Sequence, residues 1–506
     1  MSFQQLNTPA KQQSSKVQNF SETAQNTSAD PKMEVDDCIL SDQVRVDGDT
    51  TRATFSAGGL LRWGERRLQL EKEVLGFSVE GSNLKIRAAV EAPAGICCSS
   101  GKSSLVRTSF SLELLSNDSL RIWSQKLQEY LDSLGRPKRL FIFVNPFGGN
   151  RLALKIFEND VKPLLDDANV EYAVQETKYR LHAKEVVQSL DLAKYDGIVC
   201  VSGDGILVEV LNGLLVREDW GKAIRMPLGI VPGGTGNAMV KSFLDACGEP
   251  CAASNAIVSI IRGHKRALDV ATISQGATKF FSLLMLAWGL VADIDIESEK
   301  YRWMGRARIE YYARERIFDP RKYNGSVLFV PAPGFESFGE PLDLEKQIII
   351  DGESDIKTEY GYQGPKFDIK RLNWRKIDGP FVSVWLQNVP WASEDAIAAP
   401  EAQFSDGYLD LMLIKECPNS SLLTLMTEPN REHVKLPFCS YLKVKAFVLQ
   451  PGPQTDDPNK EGIIDVDGEV IAKGKGTYKC DETTLMSYDK LLVKVDQALA
   501  TMFSPK

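Results

Sequence analysis

Three textures of apolar and polar positions succeed one another along the chain. From about 55 to 133, LRWGERRLQL, EVLGFSVEG, NLKIRAAVE and RTSFSLELL alternate apolar and polar residues, which predicts short half-buried strands. DSLRIWSQKLQEYLDSLG follows with Leu120, Trp123, Leu127, Tyr130 and Leu131 on one stripe, the spacing of an amphipathic helix. Asp118 or Ser119 can cap its start, and Gly135, Arg136 and Pro137 can end it. From 139 to about 265 the rhythm becomes strand, glycine-rich turn, helix: RLFIFV, YDGIVCV and MPLGIV are almost wholly apolar, and VEYAVQETKYR adds a further strand. Strands of that kind alternating with helices predict a parallel α/β lobe, placed at 136–265. Beyond 266, ALDVATIS, KFFSLLMLAW, GSVLFVPA, FVSVWLQNV, YLDLMLIK and YLKVKAFVLQ predict a C-terminal antiparallel β-sandwich lobe. Its polar stretches 331–378 and 451–462 read as mobile loops. Residues 1–54, rich in Gln, Ser, Asn and Thr, lack the apolar groups that would offset their ordering entropy and read as a disordered tail.

Composition narrows the function classes. A chain of 506 residues, 43% hydrophobic and 25% charged, is long enough for several cores. Its net charge of −8 argues against a general nucleic-acid binder, which needs a basic field. Nine cysteines are too sparse for a disulfide scaffold, and with three histidines at His182, His264 and His433 no zinc spacing emerges. The start, MSFQQLNTPAKQQSSK, has no apolar h-region and places Ser2 where myristoylation needs glycine, so neither a secretion signal nor that anchor is expected. The most apolar run, residues 280–292, is shorter than the ~20 residues of a membrane span and reads as a buried strand.

Chemistry concentrates in three glycine-rich turns: Asn145, Pro146, Phe147, Gly148 and Gly149; Ser202, Gly203, Asp204 and Gly205; and Gly233, Gly234, Thr235, Gly236 and Asn237. One such turn is usually a plain connection. Several at the carboxyl ends of neighbouring parallel strands, each followed by a helix, suit phosphate, because bare backbone amides and helix N-termini face the same point. Neither a Walker A sequence nor GxGxxG is present, which sets P-loop NTPases and dehydrogenases aside. Asp204, between two glycines, is placed to orient a hydroxyl and take its proton, although a carboxylate there also suits simple capping of the helix it begins. Glu209 and Asn212, three apart on that helix, share a face and a supporting role.

VSGDGILVEVLNG and GIVPGGTGNAMVKSF resemble the catalytic domain shared by diacylglycerol, ceramide and sphingosine kinases. FSLLMLAWGLVADIDIESEKYRWMGRARI and IIDVDGEVI are similar, more narrowly, to sphingosine (sphingoid long-chain base) kinases, plant-like in tail and loop composition. The resemblance implies ATP and Mg²⁺ as co-substrate and cofactor, a sphingoid base as acceptor, and Asp204 as the base acting on its primary hydroxyl. It places the nucleotide on Asn145, Pro146, Phe147, Gly148, Gly149, Thr177, Arg180, Ser202, Gly234, Thr235, Gly236, Arg302, Arg308, Asp467, Gly468 and Glu469. The acceptor falls to Ser202, Gly203, Asp204, Gly205, Asp293 and Asp295, with Asp295 on the cationic headgroup and Asp293 on a hydroxyl. No carboxylate cage for Mg²⁺ is legible, so bound phosphates are expected to supply most of its ligands. Phe147, Met285 and Val208 depart from residues common in relatives. The strands and helix of 55–135 resemble a pleckstrin-homology-like module, whose Arg62, Arg66, Arg67, Lys85 and Arg87 suit anionic headgroups or simply solvent. The implied protein is cytoplasmic and visits membrane surfaces reversibly, endomembranes such as the vacuole among them. A ceramide or diacylglycerol kinase, or a non-catalytic lipid-binding adaptor, are the alternatives.

Overall fold

Alternating residues of the N-terminal part form a seven-stranded antiparallel sheet, seen in a computed structural model. The structure describes residues 37–506 apart from 93–102, 150, 306, 343–359, 367, 369–370, 423–431, 480 and 482. The helix Asn117–Ser133 lays Leu120, Trp123, Leu127 and Leu131 on the sheet's apolar face, against Phe55, Trp63 and Ile86. Burying each such side chain contributes about 1.5–3 kcal/mol. Trp123 keeps its one polar atom satisfied by donating to Asp42 at 2.7 Å. The cap is Ser116, which accepts from Ser119 N at 3.1 Å, rather than Asp118 or Ser119.

The sheet also corrects the 1–54 tail. Cys38–Val46 and Asp49–Ser56 are paired strands, so the module begins well before residue 55. Polar composition concealed them because Val44 is the one residue of the first strand that is buried. The readable signal was Asp47 and Gly48, whose positive φ values of 52° and 95° make a two-residue hairpin turn. Residues 1–36 lie outside the described residues.

The module is seated on the next lobe by buried polar contacts. The Arg136 guanidinium donates to the carbonyls of Leu70, Glu71, Val74 and Leu75. Arg107 forks onto the buried carboxylate of Asp167. Arg87 donates to Phe77 O and Asn169 there, so it faces that junction rather than a membrane headgroup.

Strands Arg139–Val144, Glu171–Glu176, Gly197–Ser202 and Leu228–Pro232 are parallel neighbours, as the alternation of strands with helices predicts. Helices cover them, and the helix Asp204–Leu215 meets the helix His182–Ser189 so closely that a Cβ on Gly213 would lie 2.2 Å from Val187.

The C-terminal half is antiparallel and packs its own core, with Ile273, Trp288, Phe329, Phe447 and Val493 in it. Its strands also hydrogen-bond on into the parallel lobe, making one ladder of 16 strands among the described residues. The joint is Leu491–Phe503, which runs antiparallel to Cys439–Gln454 and to Lys265–Gln275, then parallel to Leu228–Pro232 through Met502 and Leu228. The 265/266 boundary therefore cuts a strand.

Residues 280–292 are likewise not one strand. They divide among the strand Thr278–Ser282, the strand Met285–Gly289 and the helix Leu290–Glu297. The break at 283–285 is held from a distance by the Asp467 carboxylate, and Gly289 turns at a φ of +86° where a Cβ would meet Val382 O at 2.5 Å.

Described parts of the polar insertions are tied in rather than loose. Cys439–Gln454 runs through 451–454, Trp374 is buried, and Arg375 donates to Phe338 O and Gly339 O. Residues 343–359 lie outside the described residues. Among the described residues no helix is long and apolar enough to cross a membrane.

Candidate active site

The parallel strands end together, and their glycine turns meet there. A Cβ on Gly234 would lie 2.2 Å from Gly203 Cα, and one on Gly149 would lie 2.8 Å from the Gly234 carbonyl carbon. Gly233 N donates to Ser202 O at 3.0 Å. Side chains could not be accommodated at these positions, so the loops form a bare backbone cradle of the kind that receives phosphate. Asn145 organises its edge, accepting from Phe147 N at 3.0 Å and from the buried Thr177 hydroxyl at 3.3 Å. Pro146 and Gly148 complete that turn, while Phe147 is 64% exposed and contributes no polar side chain. Ser202 is buried, its hydroxyl donating to Gly203 O.

Asp204 is the first residue of the helix Asp204–Leu215, not a turn residue, and it caps a different helix from its own. It accepts from Ala238 N at 2.8 Å and Met239 N at 3.0 Å, the first amides of Ala238–Asp245. This fixes the carboxylate beside Gly236, where even a Cβ would stand 3.4 Å from Oδ2. Gly205 next to it faces open space, and Thr235 lies between Gly234 and Gly236 on the facing turn. Burial raises the Asp204 pKa, against the pull of the two amides, which suits a carboxylate required to take a proton. Glu209 and Asn212 serve different partners: Glu209 accepts from Leu181 N and Ala183 N, whereas Asn212 clamps the backbone of Phe281.

Of the arginines, Arg180 pairs with Glu469 and Arg302 with Glu299, both on the surface. Arg308 donates to Ser298 Oγ at 2.7 Å and to the Asp295 backbone carbonyl at 3.2 Å. Asp467 is not a free ligand. Its carboxylate accepts from Ser282 Oγ and from the amides of Leu283, Leu284 and Met285 at 2.8–3.0 Å, while burial lifts its pKa to about 6. With Gly468 it makes the positive-φ turn between Ile463–Val466 and Glu469–Lys473, and a Cβ built on Gly468 would stand 3.9 Å from Asp295 Oδ2.

Asp293 is a correction. Residues two apart on a helix face different ways, and Asp293 points to Tyr323 OH at 2.7 Å and Arg321 at 3.3 Å. Glu297, one turn on, shares Arg321, so the two form a structural ion cluster away from Asp295. Met285 receives Trp385 Nε1 on its sulfur at 3.1 Å, and Val208 is buried with its carbonyl on Asn212. The residue missed from sequence is Asp465, whose carboxyl lies against that of Asp295. A lone acid within the apolar strand Ile463–Val466 was the signal available.

The diacylglycerol kinase catalytic domain family matches residues 139–273, which hold all three glycine turns. Sphingosine kinases 1 and 2 of Arabidopsis thaliana are each 57% identical over 92% of this chain, covering 97% and 98% of their own lengths. The chain belongs to the sphingosine kinase family. Homo sapiens ceramide kinase is more distant, at 29% identity over 76% of the chain. Among the described residues of this sphingosine kinase family member no cluster of three or more His, Cys, Asp or Glu could hold a metal.

Proposed function

We propose that the protein transfers the γ-phosphoryl group of ATP to the primary hydroxyl of a sphingoid base (sphingosine, sphinganine or phytosphingosine), giving the 1-phosphate and ADP. The observation that carries this reading is the Asp204 carboxylate, held by two amides at the edge of a cradle in which side chains could not be accommodated. The hydroxyl oxygen forms its bond to Pγ as the β,γ-bridging bond breaks, and its proton passes to Asp204. Backbone amides of the glycine turns take up phosphate charge, with Arg180, Arg302 and Arg308 the candidate cations. Mg²⁺, if bound with ATP, would be held mainly by the phosphates and would screen their charge. Asp295 receives the cationic headgroup.

Ceramide and diacylglycerol bring no cation to that carboxylate, which favours the sphingoid base. A non-catalytic adaptor would have no need of a carboxylate fixed beside a phosphate cradle. Reversible contact with a membrane surface, from a cytoplasmic position and at endomembranes, is supported by Trp303, 82% exposed, and Phe318, 71% exposed. An assay offering sphinganine, ceramide and diacylglycerol in competition tests the assignment: phosphorylation of sphinganine is expected to dominate, and preference for either neutral lipid would overturn it.

A further inference from the structure

Asp465 sits mid-strand in Ile463–Val466, fully buried, paired across the sheet with Ala287 on one side and Val470 on the other. Neither of its carboxyl oxygens has a hydrogen-bond donor. What it meets is the carboxyl of Asp295, brought in by the helix Leu290–Glu297. The Asp295 backbone carbonyl, rather than its carboxyl, takes the bonds from Ser298 and Arg308.

The charges facing this pair are lopsided: Arg308 on one side, and Glu299, Asp467 and Glu469 on the other. Asp467 is satisfied by its amides and Glu469 by Arg180. Two adjacent carboxyls, one in a buried strand and one on the helix packed against it, cannot both stay ionised alone. They need a shared proton or a cation placed between them. A Cβ built on Gly468 would stand 3.9 Å from Asp295 Oδ2, so the turn sets no side chain of its own against that carboxyl.

We propose that Asp465 and Asp295 together form a two-carboxylate seat for an alkylammonium headgroup, with Asp465 the residue that rejects uncharged headgroups. This rests on the sphingoid-base reading above and deepens it. An ammonium carries three N–H donors and a full charge, and so can bond both carboxyls at once. An N-acylated headgroup offers one N–H and no charge, leaving the pair uncompensated. The seat is coupled to the catalytic helix by a short chain of contacts. Asn212 holds Phe281, and the next residue, Ser282, bonds Asp467 beside Gly468.

The test uses the full chain without ATP, titrated calorimetrically with n-dodecylamine and with N-acetyl-dodecylamine. Wild type is expected to prefer the amine. Asp465→Asn, close in shape to the protonated acid, should weaken amine binding about tenfold or more, leave the acetylated probe unchanged, and flatten the rise in amine affinity with increasing pH. Asp465→Ala provides the same comparison if the Asn variant does not fold. Unchanged amine affinity, or equal loss for both probes, overturns the seat. Phosphorylation of sphinganine is scored separately. Its absence alongside the expected amine binding would overturn the proposed activity and leave the seat standing.

Discussion

Replacing Asp467 with Asn separates two roles that its position in a glycine turn allows. The carboxylate accepts from Ser282 Oγ at 2.8 Å, Leu284 N at 3.0 Å and Met285 N at 2.8 Å through Oδ1, and from Leu283 N at 2.9 Å through Oδ2. An amide keeps one acceptor oxygen, so the Leu283 N–H would face an NH₂ donor in a buried place. Leaving one buried donor unsatisfied and weakening bonds made to a charge costs about 2–4 kcal/mol. That loss falls on the segment that turns the chain from Thr278–Ser282 into Met285–Gly289. Amide hydrogen exchange reads it directly: protection at Leu283, Leu284 and Met285 should fall roughly 30-fold to 1,000-fold. The lipid KM should rise, because this strand leads into the helix that carries Asp295, while the KM for ATP stays within about twofold. Wild-type protection together with a raised KM for ATP would refute the reasoning and return Asp467 to the nucleotide.

Asp204→Asn should lower kcat by about two to four orders of magnitude while calorimetric ATP binding persists; substantial activity in the purified variant would remove Asp204 as the base. Gly234→Ala drives a Cβ to 2.2 Å from Gly203 Cα and 2.6 Å from its nitrogen, and should weaken ATP binding at least about tenfold with the fold retained by circular dichroism. Unchanged ATP affinity would count against the cradle. Burial lifts the pKa of Asp269, Asp293, Asp467 and Asp496 to about 6 each. An unfolded aspartate titrates near 3.9, so the folded state binds protons more tightly and gains stability as pH falls through 6. The thermal midpoint should be higher at pH 6 than at pH 8, and the opposite order would contradict the sign.

The glycine turns and Asp204 were legible because local composition encodes them: apolar strand, glycine, helix. That the lobe strands run parallel was legible from the same rhythm. Contacts between residues far apart in the chain were not. The break at 283–285 has no local turn residues, since the Asp467 carboxylate arrives from over 180 positions away. Asp293 and Asp295 looked alike until a helix, not a strand, set their directions. Asp465 disappeared into an apolar run that also bears Asp467. In the N-terminal module, polar composition outweighed the Asp47 and Gly48 hairpin signal that was present.

The strand Leu491–Phe503 carries a consequence for how the protein is made. It lies between Cys439–Gln454 and Leu228–Pro232, so the parallel part of the sheet has an open flank until it arrives. On a ribosome, residues 232 and 491 emerge about 260 positions apart, which at roughly 5–20 residues per second is on the order of tens of seconds. During that interval the apolar edge of Leu228–Pro232 is exposed, an open strand of the kind that recruits chaperones or mispairs. The N-terminal module, complete by Ser133, meets no such delay. A nascent chain would thus have a finished module waiting beside an unfinished lobe, and the late strand would close both halves of the kinase in one step.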